Sequence, residues 1–323
     1  MPEPPVAVAG GGFASPDDRD EDLVASVIVP HLNTPDRLEL LLRSLAGQEL
    51  PGGRFEIIVV DNGSAMPLDA LKARWPRVRF LHCPMRGPGP ARNMGVAAAR
   101  ANRLAFIDAD MRAAPGWLAA GLAALARAPS GHVGGDVRID AADPDRMTGL
   151  EAFEAVFGYR MDRYIAREGF TGTGNLFITR ELFALAGPFG GIGTQEDKDF
   201  GQRATRAGRP PVFAPEAVAF HPARASFAEM RTRWDRLMVQ ALNSHLRDGG
   251  SLFAWRLRAL LVMVSGLGHA PRLLLSPRIS GVRPRLRGLG VLLRIRLVRG
   301  LDMLRHAHFV AAGRQPGAEQ WNA

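Results

Sequence analysis

The chain has 323 residues, of which 46% are hydrophobic and 23% are charged, which fits one large globular domain with an appendage, or two domains. Its one cysteine, Cys83, excludes an intramolecular disulfide and any metal site built from several cysteines. Residues 1–22 are rich in Pro, Gly, Ala and acids without a period, so we expect a disordered tail. They also lack a basic start followed by an apolar segment, so we expect no secretory signal and a cytoplasmic protein.

From Val24 onward, short apolar runs alternate with segments of helical period. Strands are predicted at Val24–Val29, Phe55–Val60, Val78–Leu81 and Leu104–Ile107, with helices between them. This alternation predicts a parallel sheet with right-handed crossovers, and beyond Met111 we expect the sheet to change direction. Because ligands bind beyond the carboxyl ends of such strands, we expect Pro30, Asp61 and Asp108 at one edge of the sheet.

Two carboxylates, Asp108 and Asp110, follow the fourth strand. Neighbouring carboxylates raise each other's pKa unless a cation lies between them. Hard cations such as Mg²⁺ and Mn²⁺ prefer such oxygens and share them with substrate phosphates. The pair therefore predicts a divalent ion that holds a nucleotide diphosphate. The alternative is a solvated turn after the strand, where Asp is common.

Further candidates for nucleotide binding lie at Asp61 and at the start of the third helix. Asp61 is placed to accept a hydrogen bond from a ribose hydroxyl or a base N–H, or else to cap the following turn. In Arg86–Asn93, the glycines allow close backbone approach and the helix N-terminus favours phosphate. Arg92 and Asn93 add side-chain donors there. A plain loop and helix start is the alternative.

A second acidic centre lies at Glu196, Asp197 and Asp199, where a helical period begins. These acids either serve chemistry or match the dipole at the helix N-terminus. Later in the chain, His221 offers an imidazole as a third metal ligand, or is a polar residue at a strand end.

Four segments in order resemble the successive signatures of glycosyltransferase family 2, over roughly residues 24–222. They are Ser26-Val-Ile-Val-Pro30, Val59-Val-Asp61-Asn-Gly-Ser64, Gly89-Pro-Ala-Arg92-Asn93-Met-Gly95 and Phe106-Ile-Asp108-Ala-Asp110. The resemblance implies an α/β GT-A fold, with a mostly parallel central sheet flanked by helices and a C-terminal helical extension. We therefore expect a domain at residues 23–222 and a basic helical extension at 223–323.

By this resemblance, Pro30 and Asp61 line the nucleotide pocket, and Asp108 and Asp110 form the metal-binding pair, with His221 as a further ligand. How the two acids divide ribose and metal between them stays open. Glu196 and Asp197 resemble the catalytic acid pair, with Asp197 as the general base that deprotonates the acceptor hydroxyl.

The implied reaction is an inverting, metal-dependent transfer from a nucleotide-diphosphate sugar to a hydroxyl of a glycan or lipid-linked acceptor, in cell-surface polysaccharide or glycolipid synthesis. We expect a UDP-sugar first and a GDP- or dTDP-sugar second, with Mn²⁺ or Mg²⁺ as cofactor. Met230-Arg-Thr-Arg233-Trp234 resembles the Gln-x-x-Arg-Trp of processive synthases, with Met230 in place of Gln. We therefore expect a non-processive bacterial-type enzyme in which Arg233 still binds phosphate, while Trp234 fits the core equally well.

The basic charge is concentrated in the C-terminal part. From Ser251 to Ala323 there are 12 Arg and two acids, a net charge of +10, whereas the first 250 residues carry 29 basic and 30 acidic side chains. Its apolar stretches are too short, or too often interrupted by Arg, to span a bilayer. Two interpretations stay open: helices that lie peripherally on the anionic inner face of the cytoplasmic membrane, or a helical cap with a solvated basic face.

Two other functions compete with glycosyl transfer. A sugar nucleotidyltransferase shares the sheet architecture, but it needs a Gly-rich, basic loop directly after the first strand, and Pro30-His-Leu-Asn-Thr-Pro35 lacks one. A non-catalytic basic module that binds membrane or nucleic acid would explain the tail but not the motifs. We expect no nucleic-acid partner.

Overall fold

The computed structural model of the chain describes residues 13–15, 23–224 and 226–312, with the side chains of residues 232–237, 240 and 244 outside this description. Most of the tail predicted to be disordered therefore lies outside the described residues. Phe13 and Ala14 depart from that prediction, because both are buried and the Ala14 N–H donates to the Phe55 carbonyl at 2.8 Å. The Phe13 ring stacks on Phe55 at 5.7 Å between centroids, so one aromatic side chain anchors this short segment to the sheet.

Strands and helices alternate along the chain. The strands are β1 (Leu23–His31), β2 (Arg54–Asp61), β3 (Arg79–His82), β4 (Arg103–Ile107), β5 (Arg112–Ala113), β6 (His132–Asp140), β7 (Asn175–Thr179) and β8 (Val212–Pro222). The helices are α1 (Pro35–Ala46), α2 (Asp69–Arg74), α3 (Pro88–Ala98), α4 (Trp117–Arg127), α5 (Gly149–Phe157), α6 (Met161–Glu168), α7 (Arg180–Ala186), α8 (Glu196–Arg206), α9 (Phe227–Arg247), α10 (Leu252–Leu274) and α11 (Val282–Ala311). They form two compact units, one of residues up to 140 with 159–222, and one of residues 141–158 with those from 223 onward.

The first unit contains one sheet of eight strands in the order β3-β2-β1-β4-β7-β6-β8-β5. The four strands β3, β2, β1 and β4 run parallel, as the alternation of strand and helix predicted. β7 then enters antiparallel between β4 and β6, and this reverses the direction of the sheet beyond Met111. The sheet is mostly parallel, and its central register pairs His31 with Asp61 at the carboxyl ends of β1 and β2.

Both faces of β1, β2 and β4 are buried, which is why these three strands are almost continuously apolar. Val27 and Val29 of β1 point into a cluster with α1 and α4, which includes Leu41 and Trp117. Ile28, between them, points to the opposite face, where it packs among residues of α3, α7 and α8. This alternation follows from the period of two in a strand. Because β1 pairs in parallel with both β2 and β4, the carboxyl ends of these three strands lie on one edge of the sheet.

The second unit is helical. Its core joins α5 to α10 and α11 through Phe153, Val156, Leu273, Leu292 and Ile295. The predicted domain at residues 23–222 includes both α5 and α6. The structure separates these two helices at residues 158–160, where Tyr159 has a φ of 43°, and packs α5 with the C-terminal helices instead. Among the described residues, no helix is both long enough and apolar enough to span a bilayer.

Candidate active site

The polar edge of the first unit begins with Asp61, at the carboxyl end of β2. Its Oδ1 accepts hydrogen bonds from the Ser64 hydroxyl at 2.5 Å and contacts His31 Nδ1 at 3.2 Å. The exposed His82 lies near the second oxygen, with Nδ1 3.6 Å from Oδ2. Burial alone would raise the pKa of Asp61, but the hydrogen bonds from Ser64 and His31 outweigh it and lower the pKa below its ordinary value. Asp61 is thus a fixed, ionised acceptor.

Two asparagine side chains form hydrogen bonds with the backbone around α3. Asn62 accepts from the Gly87 N–H at 2.7 Å and donates to the Met85 carbonyl at 2.7 Å, so it shapes the loop that leads into the helix. Asn93 makes two bonds of 2.9 Å with the backbone N–H and carbonyl of Phe189. The Asn93 amide therefore braces the segment that leads to α8, and its role as a nucleotide ligand stays a prediction.

The close backbone approach expected near Gly89 is a contact with another segment of the same chain. A Cβ added to Gly89 would lie 1.9 Å from the Gly190 carbonyl oxygen, so only glycine fits there. Gly87 has a φ of 118°, a conformation that side chains other than glycine rarely adopt. The two glycines let the N-terminus of α3 meet the loop at residues 187–195, which precedes α8.

Arg92 connects three elements at this edge. Its side chain is buried, and its guanidinium lies 2.8 Å from Asp108 Oδ1 and 3.2 Å from Glu196 Oε1. The sequence had placed Arg92 among the nucleotide ligands and the two acids in separate roles. In the structure one buried cation compensates both carboxylates, and this joins α3, the end of β4 and the start of α8.

Asp110 and His221 form a second polar pair. Asp110 follows β4 and His221 lies in β8, and their Oδ2 and Nε2 atoms are 3.5 Å apart. The Tyr159 hydroxyl is 3.0 Å from His221 Nε2, and the two rings lie 4.5 Å apart. Burial raises the pKa of Asp110, His221 opposes this, and the Asp108 carboxylate adds to it. A bound cation would favour the ionised form of Asp110.

Asp197 lies in the first turn of α8, beside Glu196. Its Oδ1 accepts a hydrogen bond from the Lys198 N–H at 2.7 Å. Burial raises the pKa of Asp197 above its ordinary value, and the adjacent Glu196 raises it further. Asp199, the third acid of the cluster, instead pairs with Arg203 one turn later at 3.0 Å, so it stabilises the helix. Burial therefore makes the Asp197 carboxylate a stronger base than an ordinary aspartate.

The donor types at this edge fit a divalent ion, although the protein alone does not complete a site. Within the described ranges, no three His, Cys, Asp or Glu side chains are grouped closely enough to hold a metal. Asp110 and His221 nevertheless bring together one carboxylate and one imidazole. A second carboxylate, that of Asp108, lies two positions before Asp110 in the sequence. Divalent ions commonly complete such partial sites with oxygens of a phosphorylated substrate.

Two predicted residues have no contact that tests them. Pro30 is half-buried in β1, paired with Val60, and the side chain of Arg233 lies outside the described part of the chain. One contact was missed from the sequence: the buried His31 was given no role, although it follows Pro30 at the same strand end. Because parallel strand ends share an edge, that position was a usable signal.

Comparison with known proteins identifies the chain by sequence. The family model described as Glycosyl transferase family 2 matches residues 26–184. The chain is 27% identical over 255 residues to glycosyltransferase AglE of Haloferax volcanii, a match that covers 77% of this chain and 83% of AglE.

Solved structures show the same fold. Mannosyltransferase PcManGT of Pyrobaculum calidifontis, in complex with GDP-Man and Mn²⁺, has a TM-score of 0.52 at 20% identity, over 94% of this chain and 79% of that one. Residues 1–349 of Staphylococcus aureus TarS, in complex with UDP-GlcNAc, have a TM-score of 0.50 at 16% identity, over 90% and 93% of the two chains. At such identities these likenesses establish only the GT-A fold. The sequence matches, in turn, assign this chain to glycosyl transferase family 2 as a transferase enzyme.

Proposed function

We propose that the chain transfers a sugar from a nucleotide-diphosphate sugar to an acceptor hydroxyl, with inversion at the anomeric carbon. The observation that carries this proposal is the contact of Arg92 with both Asp108 and Glu196. It brings the strand-end acid predicted to face the donor next to the turn of α8 that holds Asp197. A donor-side acid and a candidate base thus border one edge of the sheet.

For the donor, we propose that Asp61 accepts hydrogen bonds from the base or ribose of the nucleotide. Its lowered pKa keeps it ionised, and Ser64 and His31 hold its orientation. The N-terminus of α3 would favour the diphosphate. UDP-sugars are proposed first, since TarS was solved with UDP-GlcNAc, and GDP-sugars second, since PcManGT was solved with GDP-Man.

Asp108, Asp110 and His221 would hold Mn²⁺ or Mg²⁺, of which Mn²⁺ is bound in PcManGT. When bound, the ion neutralises charge that builds up on the departing diphosphate. The protein's own contribution is to keep the Asp110 carboxylate beside His221 and to fix Asp108 through Arg92. Arg92 thereby limits the repulsion between acids that surround a polyanionic substrate.

Asp197 is proposed as the general base. As the acceptor oxygen attacks the anomeric carbon, its proton passes to the Asp197 carboxylate, and the bond from the anomeric carbon to the phosphate oxygen breaks. The electron pair of that bond leaves with the nucleotide diphosphate, so one displacement inverts the configuration without a covalent intermediate. A raised pKa suits this task, because a stronger base accepts the proton more readily.

The acceptor is proposed to be a glycan or a lipid-linked hydroxyl in cell-surface synthesis, and the protein to work at the inner face of the cytoplasmic membrane. The support for such an acceptor is the name of TarS, a poly(ribitol-phosphate) beta-N-acetylglucosaminyltransferase, which is 33% identical to this chain over 90 residues. The support for the location is the basic charge concentrated after residue 250.

The test is nucleotide release from a panel of nucleotide sugars with Mn²⁺, in the wild type and in Asp197→Asn. Loss of the base should lower turnover by about 10²- to 10⁴-fold, while donor binding measured by calorimetry stays within about threefold. Asp199→Asn is the matched control, since Asp199 pairs with Arg203 and should leave turnover unchanged. Full activity of Asp197→Asn would remove Asp197 as the base, and absence of release from every donor would contradict the transferase proposal as stated.

A further inference from the structure

The outer side of α10 is apolar and exposed. Its residues Phe253, Leu257, Leu260, Leu261, Val264 and Leu267 have exposed fractions between 50% and 76%. They recur every three or four positions and therefore lie on one side of the helix. The opposite side is buried through Trp255, Ala259, Gly266 and Leu273. The exposed side of α10 is therefore as apolar as a helix side that is buried in a protein core.

Helix α11 repeats this arrangement. Val282, Leu286, Leu293, Leu297 and Leu301 have exposed fractions between 38% and 70%, again at helical spacing. Its buried side carries Pro284, Gly288, Leu292, Ile295 and Met303. Each of the two helices therefore packs one side in the unit and leaves a leucine-rich side uncovered.

The two exposed sides join into one surface, because α10 and α11 pack antiparallel. A Cβ added to Gly288 would meet Leu273 at 3.3 Å, one on Gly266 would meet Leu293 at 2.9 Å, and one on Gly300 would meet the Ala259 carbonyl at 2.8 Å. At about 100° per residue, the exposed apolar positions are centred roughly 150° from the contact side on α10 and roughly 80° from it on α11. Antiparallel packing turns both toward the same side of the pair. We call this surface, defined by the residues of the two preceding paragraphs, the outer apolar face.

A row of arginines borders the outer apolar face. Arg283, Arg287, Arg294 and Arg305 of α11 are exposed and lie roughly 80° around the helix from its exposed leucines. From Leu252 to Ala311 the sequence has 11 Arg and one acid, Asp302. Asp302 is buried and contacts Arg231 at 2.9 Å, so it does not offset the surface charge. The face is thus flanked by positive charge with no exposed acid in this part of the chain.

We propose that the outer apolar face lies on the surface of an anionic lipid bilayer, parallel to its plane. Leucines with flanking arginines match the acyl boundary and the anionic headgroups respectively. A second copy of the chain is disfavoured as the partner, because two equally basic faces would repel. Nucleic acid would use the arginines but not the row of leucines. This docking surface rests on the membrane location included in the proposed function and names the residues that provide it. Vesicle binding is measured without a nucleotide sugar, so its failure is distinguishable from failure of the transfer reaction.

The test is flotation of the full-length protein with vesicles of phosphatidylglycerol and phosphatidylcholine, against vesicles of phosphatidylcholine alone. We expect binding to the anionic vesicles to be at least about tenfold tighter, and to weaken as salt is raised. The double variant Leu257→Glu with Leu261→Glu should abolish it. The variant Arg283→Ala with Arg287→Ala should weaken it by about fivefold for each arginine. Leu185→Glu on α7 is the matched control, since Leu185 is an exposed leucine outside the face, and should bind as the wild type does.

Thermal unfolding of each variant verifies that it is folded, and the exposed positions should leave the melting temperature nearly unchanged. Equal binding to both vesicle types, or anionic binding that Leu257→Glu with Leu261→Glu leaves intact, overturns the proposal. So does light scattering that shows a dimer which the same double variant dissociates. Binding of DNA that the leucine variant retains and the arginine variant loses, without vesicle binding, also overturns it.

Discussion

Arg92 and Asp108 are joined by a 2.8 Å contact between a guanidinium nitrogen and a carboxylate oxygen, at the end of β4. The same guanidinium reaches Glu196 at 3.2 Å. We expect Arg92→Ala to lower the free energy of unfolding by about 1–3 kcal/mol, because two carboxylates lose their shared cation. Arg92→Lys keeps the positive charge but lacks the planar guanidinium that contacts two carboxylates at once. Compared with Arg92→Ala, it should therefore recover more of the free energy of unfolding than of the donor affinity.

Urea unfolding and donor binding by calorimetry measure the two effects of Arg92 separately. Arg112→Ala is a suitable control, because it removes a half-exposed arginine that pairs with Asp140 instead of Asp108. If Arg92→Lys bound donor as tightly as the wild type, the forked contact would have no part in the site.

The raised pKa of Asp197 has consequences of opposite sign for activity and stability. The base must be ionised, so the acidic limb of the pH–kcat profile should lie above the ordinary aspartate range, and Glu196→Gln should move it to lower pH. For stability, a raised folded pKa contributes free energy below the unfolded pKa, and this contribution is lost as pH rises through the folded pKa. Asp197→Asn cannot ionise, so its stability relative to the wild type should increase from acidic to neutral pH.

Urea unfolding of Asp197→Asn and of the wild type as a function of pH checks the second expectation. Asp197 would have an ordinary pKa if the difference in stability between the two proteins were the same at every pH.

Mn²⁺ binding should depend on Asp110 and His221. We expect Mn²⁺ to raise the melting temperature of the wild type, with about 2.7 kcal/mol of added stability at one hundred times Kd. Asp110→Asn and His221→Ala should each weaken Mn²⁺ affinity, measured by electron paramagnetic resonance of the free ion in the presence of UDP. Since binding needs the ionised carboxylate and the pKa of Asp110 is raised, affinity should also fall as pH is lowered. Asp140→Asn is the control, and equal Mn²⁺ affinity in all three variants would remove the proposed ligands.

Gly89→Ala tests the contact between α3 and the loop before α8. Alanine is the better helix former, so without tertiary contacts it should stabilise α3. The new methyl would lie 1.9 Å from the Gly190 carbonyl oxygen, so we expect destabilisation by about 1–3 kcal/mol. We also expect weaker turnover, because the loop leads directly into Glu196 and Asp197 at the start of α8. Gly191→Ala is the control, since its Cβ would meet nothing within 4 Å. Equal stability of the two variants would mean that the loop at residues 187–195 moves away from the new methyl group at little cost in free energy.

The parallel half of the sheet was predictable because its signals are local. Apolar runs, turn residues and helical periods lie within a dozen residues of one another, and they set β1 to β4 with the helices between them. Strand-end positions followed from the same pattern, which is why Asp61 and Asp108 were expected on one edge. The four motifs in order then indicated the family.

The pairings at the site depend on segments far apart in the chain. Arg92 and Glu196 are 104 residues apart, and their meeting depends on β7 and on the loop that Asn93 holds. The amide of Asn93 looked like a ligand from sequence, because backbone acceptors supplied by a distant loop leave no local signal. Helix α5 likewise read as part of the first domain, since only its partners Leu273 and Leu292 show which core its apolar side completes.

The sequence by itself determined the strands and helices of the parallel half of the sheet, the positions of Asp61 and Asp108 at strand ends, and the family to which the chain belongs. Hydrophobic periodicity and turn chemistry act over a few residues, and that range is sufficient for these features. Only the tertiary structure decided that Arg92 holds Asp108 and Glu196 together, that Asp110 faces His221, and that the leucines of α10 and α11 share one exposed side. Those relationships arise only when elements distant in sequence pack together. The packing is stabilised by burial of the whole hydrophobic core, which no local stretch of sequence reveals.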